Sequence, residues 1–475
     1  MKSPGEFESG MKKTLLSAAI VLFVLCGLLA GVWHALTGAE RADIQLRNDA
    51  DMVAVRLEIS PELNAYTYFQ AAAHVFTDIS REDKSRQNDY LAGKPVDEVA
   101  IADILDRSEA AIKTLRRGLK CNLCIVPELH IENWSQWLLG IHSPSLETWR
   151  DMGRTLATSI RRHRLAGRYA EAADACVDLL RFGHLMQAQA ETIPHYLSGL
   201  KACRRGLKQI RDMARDENVA AGELARLAEM LAEFNSFEDG IVFAFKKEYG
   251  RVARVIDEHR GGELDLRHGT YEFGIYEYKH LPAWMKEFFW GTGYAFHPNR
   301  TKNALAETYR EAIANAALAY ADMVWTDAIR WHDVDENRLL SQLGICHNMV
   351  GIGFHRALTG GDQCLLRIKC QTESEWAATR LIVALHLHRR ETGEFPGELA
   401  SLTPGLMPSI PNDPFDGKPF RYVASMRILY SVGANLQDNG GSRKLASYGG
   451  EVPALRRWEA EDAVFDIVDR GEAGR

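Results

Sequence analysis

Residues 153–186 read GRTLATSIRRHRLAGRYAEAADACVDLLRFGHLM, and the reading of this stretch decides the fold. Apolar side chains recur at steps of three and four on both sides of Gly167, which predicts helix, turn and helix. Upstream, Ser145-Leu-Glu-Thr-Trp149 places capping residues ahead of the same period. Downstream the pattern continues through 195–215, 220–235 and 238–259. Asp97 to Lys120 predicts another amphipathic helix that closes before Cys121-Asn122-Leu123-Cys124. Helix is also expected from Ala39 to about Ser80, with Ser60-Pro61-Glu62 as a fresh start. The polar run Ser80 to Asn88 reads as a loop. Helices are expected again over Asn303 to His332 and from Glu336 to about Leu358. Residues 39–360 therefore read as an all-helical domain, bounded by Gly360-Gly361-Asp362.

A different grammar starts at Thr372. Thr372-Glu-Ser-Glu375 offers a capping box, and a helix over Glu373 to Glu391 is expected to end at Gly393 and Pro396. Turn-rich phrases follow, and Asn412 to Gly417 reads as two tight turns. Phe420 to Val423 and Ile428 to Val432 read as a hairpin around Ser425, with Asp438-Asn439-Gly440-Gly441 closing it and a return strand at Trp458 to Asp462. Residues 372–470 thus form a small α+β module with a β-meander.

Near the start, Thr14 to Leu36 holds twenty-three residues without Asp, Glu, Lys or Arg, directly behind Lys12 and Lys13. As a helix it would span about 34 Å, enough for a hydrocarbon core of about 30 Å. A cleavable signal peptide is the rival, but its apolar region is usually shorter. The expectation is an N-terminal transmembrane helix at 14–36 behind a cytoplasmic tail at 1–13. The lysines ahead of the span place the chain in the inner (cytoplasmic) membrane as a single-pass protein, with its bulk extracytoplasmic.

Composition bounds the rest. The 475 residues carry a net charge of −7 with 57 basic and 64 acidic side chains, and no basic domain stands out, so nucleic acid is not expected as a partner. Of the cysteines, Cys121/Cys124 and Cys364/Cys370 are the pairs an oxidising compartment would favour; in a reducing one they are small hydrophobes. Ten aromatic residues crowd into Tyr271 to Phe296. They fit either packing against neighbouring helices or a membrane or partner surface.

Catalytic signatures are missing. There is no His-Glu-x-x-His, no Gly-x-Ser-x-Gly, no phosphate-cradling loop and no dinucleotide turn. Cys121-x-x-Cys124 closes a helix, where the dipole disfavours a thiolate. No catalytic or cofactor-binding residue is assigned. The expectation leans away from an enzyme, towards a membrane-tethered interaction or scaffold protein of the cell envelope. The alternative is an envelope enzyme with a dispersed site near 271–296.

Two resemblances add to this. Gly167-Arg-Tyr169-Ala-Glu-Ala172 is similar to the inter-helix turn of a tetratricopeptide repeat, although Ile160 stands where that repeat wants a small residue and no second copy is in register. The phrases Gly393-Glu-Phe395-Pro396, Asp413-Pro414-Phe415-Asp416-Gly417-Lys-Pro419, Arg421-Tyr422 and Tyr430-Ser431-Val432-Gly433-Ala434-Asn435 resemble the soluble head of the type II secretion major pseudopilin. They also resemble a set of long, membrane-anchored bacterial proteins of the planctomycete type with a helical middle and this tail. The processed pilin leader is absent ahead of the apolar run, and 442–461 is an insertion, so the chain is not a pilin subunit by motif. The resemblance implies envelope or secretion-system partners. It also implies calcium in the loop, with Ser431, Asn435, Asp438 and Asp462 as the ligands by position. Calcium wants six to eight oxygens, and a calcium-free meander is the alternative.

Overall fold

The computed structural model describes residues 43–55, 57–76, 78–127, 145–233, 237–261, 296–325, 348–445 and 454–468. The tail at 1–13 and the apolar run at 14–36 lie outside these, as do all but Phe296 of the aromatic segment; among the described residues no helix is long and apolar enough to cross a membrane. The chain groups into two compact units. One comprises residues 50–252, 309–325 and 361 onwards; the other comprises the segment up to 49, 253–308 and 326–360.

The larger unit is mainly helical with a small antiparallel sheet. Its helices are α1 (Ala65–Val75), α2 (Arg81–Leu91), α3 (Glu98–Gly118), α4 (Ser145–Leu165), α5 (Tyr169–Ala188), α6 (Ile193–Arg215), α7 (Ala221–Glu233) and α8 (Glu238–Gly261, through Val252). The stretch 153–186 is the expected hairpin: α4 ends at Leu165, Gly167 takes φ +73°, and α5 begins at Tyr169. Side-chain oxygens of Asn64, Ser80, Asp97 and Thr192 accept backbone N–H bonds at the starts of α1, α2, α3 and α6. Trp149 (α4), Phe69 (α1) and Phe182 (α5) are fully buried and meet edge to face, with centroids 5.8 Å and 4.9 Å apart. Helices α5 and α6 cross where Gly183 meets Gly199. A Cβ on Gly199 would stand 2.6 Å from the Gly183 carbonyl oxygen, so only glycine permits this approach.

Several boundaries differ from the sequence expectation. The polar run after Ser80 is not a loop but α2. Ser80 caps it, and its few buried residues, Asp83, Gln87 and Tyr90, make a polar seam in which Gln87 Nε2 donates to Thr155 Oγ1 at 3.1 Å. Among the described residues of 39–80, α-helix runs only over Ala65–Val75, apart from short 3-10 turns at Ala50–Met52 and Pro61–Leu63. Helix α9 (Pro298–Ala316) stops well before His332. Past its end, the backbone N–H groups of Tyr320 and Ala321 donate instead to the carbonyls of Pro414 and Phe415.

The largest correction concerns Thr372. It opens nothing, because α11 runs unbroken over Asp362–Thr392. Thr372 Oγ1 donates back to the Ile368 carbonyl at 2.9 Å, and the Glu375 carboxylate leaves its own helix for arginines of α6. The capping-box letters therefore sit mid-helix. Helix α11 is buried on several sides, and Leu366, Trp376, Leu381 and Leu385 lie within the core. Trp376 Nε1 donates to the Leu231 carbonyl at the end of α7, 2.9 Å away. Gly393 ends α11 at φ +89°, as expected.

The hairpin around Ser425 is β1 (Arg421–Val423) against β2 (Ile428–Ser431), paired Arg421 with Tyr430 and Val423 with Ile428. The return strand is β3 (Ala463–Asp466), which begins just past the expected Trp458 to Asp462 and does not overlap it, and runs antiparallel to β2. Trp458 lies before it in a 3-10 turn over Ala454–Glu459. The sheet is tied to α11 by His386, whose Nε2–H donates to the Ile467 carbonyl at 2.8 Å, and whose ring meets Phe395 edge on.

The smaller unit is described over 43–49, 253–261, 296–308 and 348–360, including α10 (Met349–Thr359). Asp43 accepts the N–H groups of Asn299 and Arg300 at 2.6 Å and 3.1 Å and so caps α9 from far away in sequence. Asn348 Oδ1 accepts the His297 N–H at 2.7 Å, and buried Lys302 pairs with Asp257 at 2.9 Å.

Burial pushes both His195 and His386 down to about 4. The unfolded chain, with ordinary values of about 6.5, then binds more protons than the folded one between those limits. Their stabilisation is complete above about pH 6.5 and falls as pH drops towards 4, by up to about 1.4 kcal/mol per pH unit for each group. Urea midpoints measured from pH 7 to 4.5 should fall accordingly. His386→Gln should flatten that slope.

Candidate functional site

Helix α6 carries Lys201, Arg204, Arg205, Lys208, Arg211 and Arg215 at steps of three and four, with Asp212 the one acid among them. At 100° per residue these positions share one side of the helix. Leu200, Cys203, Leu207, Ile210 and Ala214 occupy the other and are buried.

The cationic side faces a cavity of about 670 Å³. Its opposite walls are Ile368 and Glu375 of α11, Arg457 and Trp458 of the 3-10 turn, and Asp466 and Val468 at the end of the sheet. Seven cationic side chains line it against three carboxylates, in a chain whose net charge is −7.

All three carboxylates are engaged. Glu375 accepts from Arg204 at 2.9 Å, Arg211 at 3.3 Å and Trp458 Nε1 at 3.2 Å. Burial alone would raise its pKa, but the charges of Arg204, Arg211 and Arg457 outweigh that and hold it at about 2. Asp212 pairs with Lys208 at 2.8 Å and Arg215 at 3.2 Å. Asp466 pairs with Arg443 at 2.5 Å. The guanidiniums of Arg211 and Arg457 lie 5.5 Å and 4.3 Å from the ring centre of buried Phe465. Burial, joined by the charge of Arg211, pushes Arg457 down to about 9.

Lys201 and Arg205 stand apart from this network, and neither forms an ion pair among the described residues. Arg205 donates only to the Arg150 carbonyl, at 3.3 Å. Burial and then the nearby Arg154 push it down to about 10. Lys201, at the exposed mouth, is also held below the ordinary lysine range by partial desolvation and by Arg205, Arg154 and Arg150. Asp151 and Glu147 act on them only from a distance, and crowded positive charge without a direct ion pair is what an anion would relieve.

A second cavity of about 810 Å³ lies among α3, α4, α5 and α7, and there four Lys and Arg side chains stand against five carboxylates. Arg116 pairs with Asp178 at 2.7 Å and Arg226 with Asp174 at 2.8 Å.

The four residues assigned to calcium are each engaged elsewhere. Ser431 Oγ donates to Asp413 Oδ1 at 2.8 Å, and Asn435 Oδ1 accepts the Gln437 N–H at 3.1 Å. Asp462 accepts the N–H groups of Gly441 and Ser442 at 2.8 Å and 2.9 Å, with that of Asn439 at 3.3 Å. Asp438 bonds Arg421 Nε and the Tyr430 hydroxyl, both at 2.9 Å. Arg421 also reaches Asp416 at 2.5 Å and Asp413 at 3.4 Å. Among the described residues no group of three or more His, Cys, Asp or Glu could hold a metal ion.

The described cysteines, including Cys121, Cys124, Cys364 and Cys370, are free thiols. Burial raises the thiol pKa of Cys121, Cys124 and Cys370, which opposes thiolate formation.

Sequence reasoning passed over the α6 stripe because charge was weighed over whole domains. Its signal was present in KACRRGLKQIRDMAR, residues 201–215, as like charges at helical spacing. The acids that offset part of it, Glu375 and Asp466, lie far along the chain. No protein-family model, curated protein or solved structure matches this chain.

Glu375→Gln would leave buried Arg211 without its counter-charge. The variant should lose about 3 kcal/mol of stability in urea unfolding at pH 7. Glu394→Gln, at an exposed site beyond α11, should change stability by less than about 0.5 kcal/mol.

Proposed function

We propose that this chain is a membrane-tethered binding protein of the bacterial cell envelope, which captures an anionic ligand in the α6 cavity. The observation that carries this reading is the pair Lys201 and Arg205, two cations without ion-pair partners on a cavity wall already rich in positive charge. The second cavity differs in balance, with four Lys and Arg side chains against five carboxylates, where the α6 cavity sets seven cations against three. The volume lies in the range of small-ligand pockets, roughly 300–1,000 Å³. The tether rests on the apolar run 14–36, and the envelope setting on the likeness of the C-terminal module to a secretion pseudopilin head. In this reading the module also supplies part of the binding wall through Arg457, Trp458, Asp466 and Val468.

Thermal melting of the detergent-solubilised chain against phosphate, pyrophosphate and citrate tests the cavity. At 100 times its Kd a ligand should stabilise by about 2.7 kcal/mol. Lys201→Glu with Arg205→Glu should abolish the shift, and Arg226→Ala in the second cavity should not. Equal shifts in all three proteins, or none with any anion, would remove the reading. Separately, the chain should stay with membranes through an alkaline carbonate wash, and a version beginning at Glu40 should be released.

A further inference from the structure

The chemistry of the cavity narrows the class of anion; this step rests on the anion-binding reading above. Lys201 and Arg205 are four residues apart on α6, which brings their side chains to neighbouring positions on one face. Neither forms an ion pair among the described residues, so the pair offers two positive charges at one place. A carboxylate brings one negative charge and would leave one cation uncompensated. A phosphate monoester brings about −1.5 to −2 at pH 7, with three acceptor oxygens that suit a guanidinium fork beside an ammonium.

The rest of the wall is not built for a bare ion. Leu197, Ile368, Trp458 and Val468 line the same cavity, which at about 670 Å³ is many times the size of inorganic phosphate. Trp458 is fixed there by its N–H bond to Glu375 and by its rings' contact with Phe415, centroids 5.6 Å apart. A held indole is a surface for an apolar or aromatic body.

We infer that the ligand is a phosphate monoester carried on an apolar body, its phosphate between Lys201 and Arg205 and its body against Ile368 and Trp458. Both a soluble aryl or alkyl phosphate and a lipid with a monoester headgroup have this chemistry.

Titration calorimetry on the full chain in neutral detergent tests it with 1-naphthyl phosphate, 1-naphthoate and inorganic phosphate. The naphthyl phosphate should bind at least tenfold tighter than either of the others. Lys201→Ala with Arg205→Ala should weaken it more than tenfold, and Trp458→Leu should weaken it while leaving inorganic phosphate unchanged; unaltered melting of each variant would show that it is folded. If naphthoate or inorganic phosphate binds as tightly as naphthyl phosphate, the phosphomonoester assignment falls while anion binding stands. If no anion binds, both fall. Displacement of bound naphthyl phosphate by phosphatidic acid in mixed micelles would support the proposal with a lipid source. Tight naphthyl phosphate binding without such displacement would support it with a soluble one.

Discussion

The larger unit depends on one buried carboxylate. Glu375 projects from the middle of α11 and takes hydrogen bonds from Arg204 and Arg211 of α6 and from the indole of Trp458. Three parts of the chain with no sequence proximity are thereby held to one side chain. A buried ion pair of this sort gains little over a well-packed apolar contact, but it fixes which partners meet and in what register. One of them, Arg211, also bears on Phe465, as does Arg457, so the charge of α6 and the apolar core of the sheet are joined through a guanidinium. With Glu375 committed to Arg204 and Arg211, Lys201 and Arg205 on the same stripe are left without an ion pair. The proposed anion site is the remainder of an incomplete neutralisation.

The C-terminal module obeys the same logic on a smaller scale. Arg421 is set among Asp413, Asp416 and Asp438, and Asp413 in turn accepts from Ser431 and the backbone of Val432. The loop after β2 is thus closed by a guanidinium and by the backbone N–H groups gathered on Asp462. Both networks use arginine, whose planar fork serves several acceptors at once.

Much of the fold was legible because helical periodicity is a local signal. The hairpin around Gly167, the helix after Asp97, the end of α11 at Gly393 and the β1–β2 hairpin all follow from patterns a few residues long. What was illegible depended on distant partners. Thr372 and Glu375 have the letters of a helix start, yet tertiary contacts bury them mid-helix. The polar run 81–91 has too few apolar residues to show a stripe, and becomes a helix because Gln87 finds Thr155 and Asp83 finds Arg107. The cavity escaped notice for a related reason. The spacing of its cations could be read from α6 alone, but their partial neutralisation could not.

The segregation of these parts along the chain has a consequence for biosynthesis. Arg211 and Glu375 are separated by 164 positions, and the residues between them include 253–308 and 326–360 of the second compact unit. On the ribosome, α6 emerges with its guanidiniums facing water long before the acid that will hold them exists, and β3 arrives later still. The larger unit therefore cannot close during translation of its first two hundred residues. Its helical hairpins must wait, half assembled, for the last strand.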